Sequence, residues 1–305
     1  MNKEDLFKAL DKKYKKLGVP IETILEGLLW SNPITYWDYI QTDALLNLQT
    51  PRTNLPDEMI FIMYHQINEL FFKMILWEIE QVAKTVNISG KKFTMHLERI
   101  SRYFDMLTNS FDVMTDGMEP KQYLKFRNTL TPASGFQSAQ YRKIEFASTE
   151  LINLIDDRYR DGFDRNSSFK NAYNYLYWQA AGKNYSTDQK STLLELFEDK
   201  YMGEFINFIK DYNESNLSIK FKQLPKETRR NQKLINAMRH YDYTVNVTWV
   251  MSHYNAASKY LSGREKDIEA TGGSNWKKYM HPKYQRRIFF PYLWSKKELE
   301  NWGTF

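Results

Sequence analysis

Long stretches of this chain place apolar residues three or four positions apart, the spacing that keeps them on one face of a helix. Residues 93–114 do so with Phe93, Leu97, Ile100, Phe104, Leu107, Phe111 and Met114, and predict one amphipathic helix. Residues 193–212 and 233–261 carry the same period. Residues 57–84 are apolar on nearly every face, which predicts a helix buried all round. Proline and glycine mark the ends. Pro56-Asp57 opens the 57–84 helix with acids in its first turn, where they meet the positive end of the helix dipole. The segment from Asn87 to Gly90 closes it. Pro120 opens a short helix that Thr131-Pro132 ends, because the residue before a proline is pushed out of the helical region. Ser262-Gly263 ends the 233–261 stretch, and a polar loop runs on to Ser274. Proline is absent from 133 to 224, and no alternating run bounded by turn residues predicts a sheet. The reading is a single all-α domain over 1–305, a helical bundle with residues 1–55 as an N-terminal extension.

A chain of 305 residues can bury a sizeable core. With 42% apolar and 26% charged residues it is globular in composition. The absence of cysteine excludes a disulfide framework, a thiolate-bound metal or haem, and a cysteine nucleophile. The net charge is +6, but acids and bases alternate along most of the chain. The densest basic runs, 226–233 and 277–287, are short and predict solvated faces, so no nucleic-acid partner is expected. The most apolar stretch, 59–79, is broken by Glu69, Lys73 and Glu78, so no membrane span is expected. The opening residues lack the apolar core of a secretory signal, which predicts a soluble cytoplasmic protein. Aromatic residues reach 16%, with 8 Trp, 21 Tyr and 19 Phe. That number fits either a large aromatic core or a pocket for a flat ligand.

The candidate chemistry is sparse. The five histidines, His65, His96, His240, His253 and His281, include no zinc-type pair, and His65 with Glu69 supplies too few ligands for a metal. His65 follows Phe61 by one helical turn in an apolar stretch. It reads either as a core histidine or as a neutral acceptor facing a buried ligand. His253 follows Trp249 by four residues, with Ala256 and Ala257 one turn on. Small residues there let a flat macrocycle approach the backbone, which is how a proximal haem ligand is presented; a core position is the alternative. Arg127, next to Phe126, suits an internal ion pair or a bidentate clamp on a carboxylate. The ATGGS run at 270–274 is either a bare loop or a wrap for a charged group. There is no Gly-x-Ser-x-Gly elbow and no dinucleotide fingerprint.

Taken together, these segments resemble the tryptophan 2,3-dioxygenase family, over about 34–294. DEMIFIMYHQ (57–66) continues to ELFFKMILWE (69–78), followed by Phe126-Arg127 and LTPASGFQS (130–138). WVMSH (249–253), TGGS (271–274) and FFPYL (289–293) support them in order. The resemblance implies a fold of the tryptophan/indoleamine dioxygenase type with haem b between the helices. It also implies an enzyme that cleaves the indole C2=C3 bond of L-tryptophan with O₂ to give N-formyl-L-kynurenine, the first step of tryptophan degradation. His253 would be the proximal iron ligand, with Trp249 and Ser134 beside the haem. His65, on the distal side, would accept a hydrogen bond from the indole N–H, and Phe61 would pack on the ring. Arg127 would clamp the substrate carboxylate, with Tyr123, Leu130 and Thr271 in the same pocket. Tyr36 and Tyr39, in YWDY, would come from a neighbouring subunit of a homotetramer on which the 1–55 extension packs. The sequence departs from the family pattern at Tyr64, at Ala270 and between Trp249 and His253. A haem-dependent aromatic hydroxylase or peroxygenase of the same superfamily is the rival reading. A non-catalytic helical module that binds protein or nucleic acid is a third.

Overall fold

Side-chain caps set where the helices begin. Ser89, Ser138, Ser191 and Asn231 each accept a hydrogen bond from a backbone N–H in the turn that follows, satisfying donors that a helix start leaves free. Glu58 secures the approach to the longest helix. Its carboxylate, 1% exposed, accepts from the backbone N–H groups of Arg52 (2.8 Å) and Thr53 (2.7 Å).

The computed structural model describes residues 1–130, 137–184, 189–261 and 280–304. The chain forms two compact units, Met1–Thr50 and Pro51–Phe305. The first holds α1 (Lys3–Lys15), α2 (Ile21–Trp30), α3 (Tyr36–Ile40) and α4 (Thr42–Leu45). Leu28, Leu29, Trp30 and Trp37 stay exposed there.

The second unit is built from α5 (Pro56–Lys84), α6 (Gly90–Asn109), α7 (Phe111–Thr115), α8 (Pro120–Phe126), α9 (Ala139–Ser148), α10 (Asp157–Arg160) and α11 (Phe169–Tyr173). α12 (Thr192–Tyr212), α13 (Leu217–Gln223), α14 (Lys226–Arg229), α15 (Gln232–Tyr243), α16 (Trp249–Leu261) and α17 (Lys296–Glu300) follow. α6 packs against both α5 and α15, α9 covers another face of α5, and α12 lies on α9. Among the described residues the strands are one antiparallel pair of two residues each, Lys183–Asn184 with Gln189–Lys190. The all-α reading therefore matches the fold. Among the described residues no helix is long and apolar enough to cross a membrane.

The three-four spacing of α6 produces the core. Phe93, Leu97, Ile100, Phe104 and Leu107 are all 0% exposed, each burial contributing about 1.5–3 kcal/mol. Three expectations need correction. The 93–114 stretch is not one helix: α6 stops at Asn109, and Phe111 and Met114 belong to α7. Ser110 makes the break, its hydroxyl donating back to the Leu107 carbonyl at 2.8 Å, a local bond that competes with helix continuation. The 233–261 stretch is interrupted by a π-helical segment, Thr244–Thr248, which shifts the phase of every later side chain. Finally, α5 is not buried all round. Phe72, Ile75, Ile79 and Val82 face the core, while Met63, Ile67, Leu70, Met74 and Trp77 form an exposed stripe.

The π segment is anchored by Asp242, which is 0% exposed. Its carboxylate accepts from the backbone N–H of Phe289 (2.7 Å) and Phe290 (3.0 Å), from Trp294 Nε1 (2.9 Å) and from Asn246 Nδ2 (2.8 Å). Burial pushes its pKa up to about 6, and the four donated bonds pull the other way. An amide in its place has one acceptor oxygen and turns an NH₂ towards two of those donors. Asp242→Asn should therefore lower unfolding free energy by about 2–3 kcal/mol, read from denaturant titration. An unchanged midpoint would contradict this role.

Candidate functional site

Two polar contacts bring α8 to the start of α5. The backbone N–H of Glu119 donates to Asp57 Oδ2 at 2.6 Å, and the backbone N–H of Asp57 donates to Gln122 Oε1 at 3.2 Å. Phe126, 0% exposed, then packs edge-on to Phe61, with centroids 5.5 Å apart. Arg127 follows at the helix end, 7% exposed. From the other side, Tyr260 of α16 donates to the Met114 carbonyl and packs on Tyr123 with centroids 4.5 Å apart. An aromatic cluster results, with Phe61, Tyr64, Phe111, Tyr123, Phe126, Leu130 and Trp249 among its members.

His65 lies within this setting, its ring 4.1 Å from that of Phe61. It is open to solvent although protein closely surrounds it, as for a side chain lining a recess. Its Nδ1 is 2.7 Å from the Phe61 carbonyl. A carbonyl only accepts, so Nδ1 carries the proton. Burial holds its pKa below 6.5, outweighing the hydrogen bond to Phe61 and the charge of Glu69. The ring is then neutral at pH 7, with Nε2 as an acceptor.

Tyr123 accepts a hydrogen bond from Arg127. Burial raises the pKa of that phenol, against the pull of the guanidinium, so it stays protonated at neutral pH. Together they offer a planar cation and a hydroxyl beside an apolar wall, an arrangement that recognises a carboxylate on an aromatic body.

His253 presents the second imidazole. Burial first, then the positive potentials of His65 and Arg287, push its pKa down to about 4. Among the described residues neither ring nitrogen has a hydrogen-bond partner, so a lone pair remains available. Phe111 stacks on the ring at 5.5 Å, and Trp249 sits 5.8 Å away. Among the described residues the buried Trp249 indole N–H has no acceptor, a donor that costs free energy unless something fills the gap. Ala256, one turn on, is a small residue, 5% exposed. A neutral ligand, an unmet donor and small neighbours fit a planar, iron-bearing group with carboxylate arms.

The structure thus brings together seven of the predicted residues: Phe61, His65, Tyr123, Arg127, Leu130, Trp249 and His253. Ser134 and Thr271 lie outside the described residues. Tyr36 and Tyr39 belong to the first unit, where they are 72% and 74% exposed. Sequence reasoning missed a buried polar network behind Trp249. Tyr141 stacks on Trp249 with centroids 4.9 Å apart. Arg287 Nη1 donates to the hydroxyls of Tyr141 (3.2 Å) and Tyr177 (2.8 Å), and Arg142 meets Glu145 at 3.1 Å. The Arg142/Glu145 pair on an otherwise buried helix was a usable signal; Tyr177 and Arg287 are too distant in sequence to give one.

The tryptophan 2,3-dioxygenase family profile matches residues 28–251. The chain belongs to the tryptophan 2,3-dioxygenase family. The matched span includes Tyr36, Tyr39, Phe61, His65, Tyr123, Arg127, Leu130, Ser134 and Trp249 and stops two residues before His253; Thr271 lies beyond it. The tryptophan 2,3-dioxygenase of Ruegeria pomeroyi is 39% identical over 120 residues, 38% of this chain and 42% of that protein. The enzyme of that name from a Polaromonas species is 42% identical over 120 residues, 39% and 40% respectively. The one from Alteromonas mediterranea is 34% identical over 179 residues, 55% and 44%. The chain thus spans less than half the length of these curated relatives of the family.

The electrostatics of His65 can be checked directly. The imidazole is neutral above its pKa, so a lowered pKa keeps it neutral as pH falls past 6.5. Nitrogen-15 NMR of labelled protein should show Nδ1 protonated and a midpoint below 6.5. A midpoint at or above that value would contradict the geometry.

Proposed function

We propose that this chain is a tryptophan 2,3-dioxygenase that binds haem b through His253 and converts L-tryptophan and O₂ to N-formyl-L-kynurenine in the cytoplasm. One observation carries the reading. The Arg127 guanidinium, a neutral acceptor at His65 and a neutral imidazole at His253, which has no hydrogen-bond partner among the described residues, stand around one aromatic cluster.

His253 would hold the iron, and the Trp249 indole N–H would donate to a haem carboxylate. Bound there, the haem supplies the oxygen activation that no side chain can. The remaining work falls to the protein. Arg127 binds the substrate carboxylate with two parallel N–H donors, and the Tyr123 hydroxyl lies beside it. Phe61 packs on the indole face. His65 accepts the indole N–H at Nε2, because Phe61's carbonyl holds its other nitrogen as the donor. Leu130 and the apolar walls exclude water and fix the ring, so binding energy becomes orientation. An analogue lacking the carboxylate forgoes the ion pair and loses both binding and alignment. In the same reading Ser134 borders the haem, Thr271 contacts the amino-acid end, and Tyr36 and Tyr39 reach the site of a neighbouring copy.

Self-association as a homotetramer belongs to this proposal. The exposed α5 stripe repeats at spacings of four and three, the seam that pairs with another helix. The apolar residues exposed in the first unit add further unpartnered surface.

Arg127→Ala should reduce kcat/KM for L-tryptophan by about two to three orders of magnitude while haem stays bound, measured by steady-state kinetics and the Soret band. Turnover under ¹⁸O₂ should place two labelled atoms in the product. Unchanged kinetics would remove the clamp, and a single label would favour a hydroxylase.

A further inference from the structure

Phe111, 6% exposed, begins α7 with its ring stacked on the His253 imidazole, the planes 14° from parallel and the centroids 5.5 Å apart. Trp249 approaches His253 from one turn earlier, tilted by 47°, and also touches Phe111, with centroids 6.0 Å apart. Behind Phe111 stands Tyr64 of α5, 6.1 Å away, its hydroxyl 3.4 Å from Ser110 Oγ. Turning that imidazole about its Cβ–Cγ bond breaks the parallel stack with Phe111, which is itself buried. Offset, near-parallel rings at this separation also attract one another. The break at Ser110 that separates α7 from α6 allows Phe111 to meet His253 instead of continuing the α6 stripe.

We propose that Phe111 is a positioning residue that sets the plane of the His253 imidazole, and so the direction in which that ring offers its nitrogen to haem iron. The proposal rests on His253 being the iron ligand. Phe111 acts through that ring, and Tyr64 braces it from the side of the helix that also carries His65.

The test compares the unaltered protein with Phe111→Leu, Phe111→Tyr and Phe146→Leu. Phe146 is a control: it is 4% exposed and packs on Phe205 at 5.5 Å. Haem affinity is measured by titration, and the iron–histidine stretching band of the ferrous protein by resonance Raman. Phe111→Leu should weaken haem binding about two- to tenfold and shift or broaden the band. Phe111→Tyr should restore both, and Phe146→Leu should move neither. If Phe111→Leu does not fold, Phe111→Met is read in its place. A leucine variant with unaltered affinity and band overturns the proposal, as does an equal effect from Phe146→Leu. If the unaltered protein binds haem without an iron–histidine band, the ligand assignment fails first and the proposal falls with it.

Discussion

An imidazole enclosed by aromatic rings cannot readily carry a charge, because the low-polarity surroundings disfavour the ionised form. His253 is held in that condition, stacked by Phe111 and flanked by Trp249. Among the described residues nothing donates to its lone pair at neutral pH. The rest of the second unit makes this possible. The π segment sets the phase of α16, Asp242 ties that segment to residues 289–294, and Tyr260 fastens α16 to the end of α7. His65 meets the same constraint differently. The protein packed around it also favours the neutral ring, but the Phe61 carbonyl accepts a hydrogen bond from Nδ1–H and so leaves Nε2 as the acceptor.

The two imidazoles therefore differ in chemistry although they share one cluster. One is oriented by a hydrogen bond and suits reading an N–H; the other is oriented by stacked rings and suits coordination. Arg127 adds the permanent charge that neither imidazole provides, and Tyr123 hydrogen-bonds to it. This division of roles is a property of placement, since both histidines start from the same unperturbed value.

Much of this was legible from residue spacing. The period of 93–107 predicted the face that is buried, and Pro56 and Asn87–Gly90 marked the ends of α5 within a few residues. Phe61 and His65 sit one turn apart on a helix, so their proximity also followed from spacing alone. Helix breaks made by local bonds were harder to see. Ser110 looks like any polar position in an amphipathic pattern, yet its hydroxyl bond to Leu107 ends α6 and redirects Phe111. The π segment leaves the apolar period nearly intact and was invisible for that reason. Contacts between distant segments, such as Arg287 with Tyr141 and Asp242 with Phe289, have no signature in local pattern at all. The exposure of the α5 stripe was missed because an apolar residue signals burial without saying against which partner.

The central claim is that His253 holds the haem iron. The most direct measurement is the absorption spectrum of haem-loaded protein after gel filtration, for the unaltered chain and for His253→Ala. The account predicts a Soret band that travels with the unaltered protein and is lost from the variant, with helical content preserved in both. An equally intense, unshifted band in the variant would contradict it.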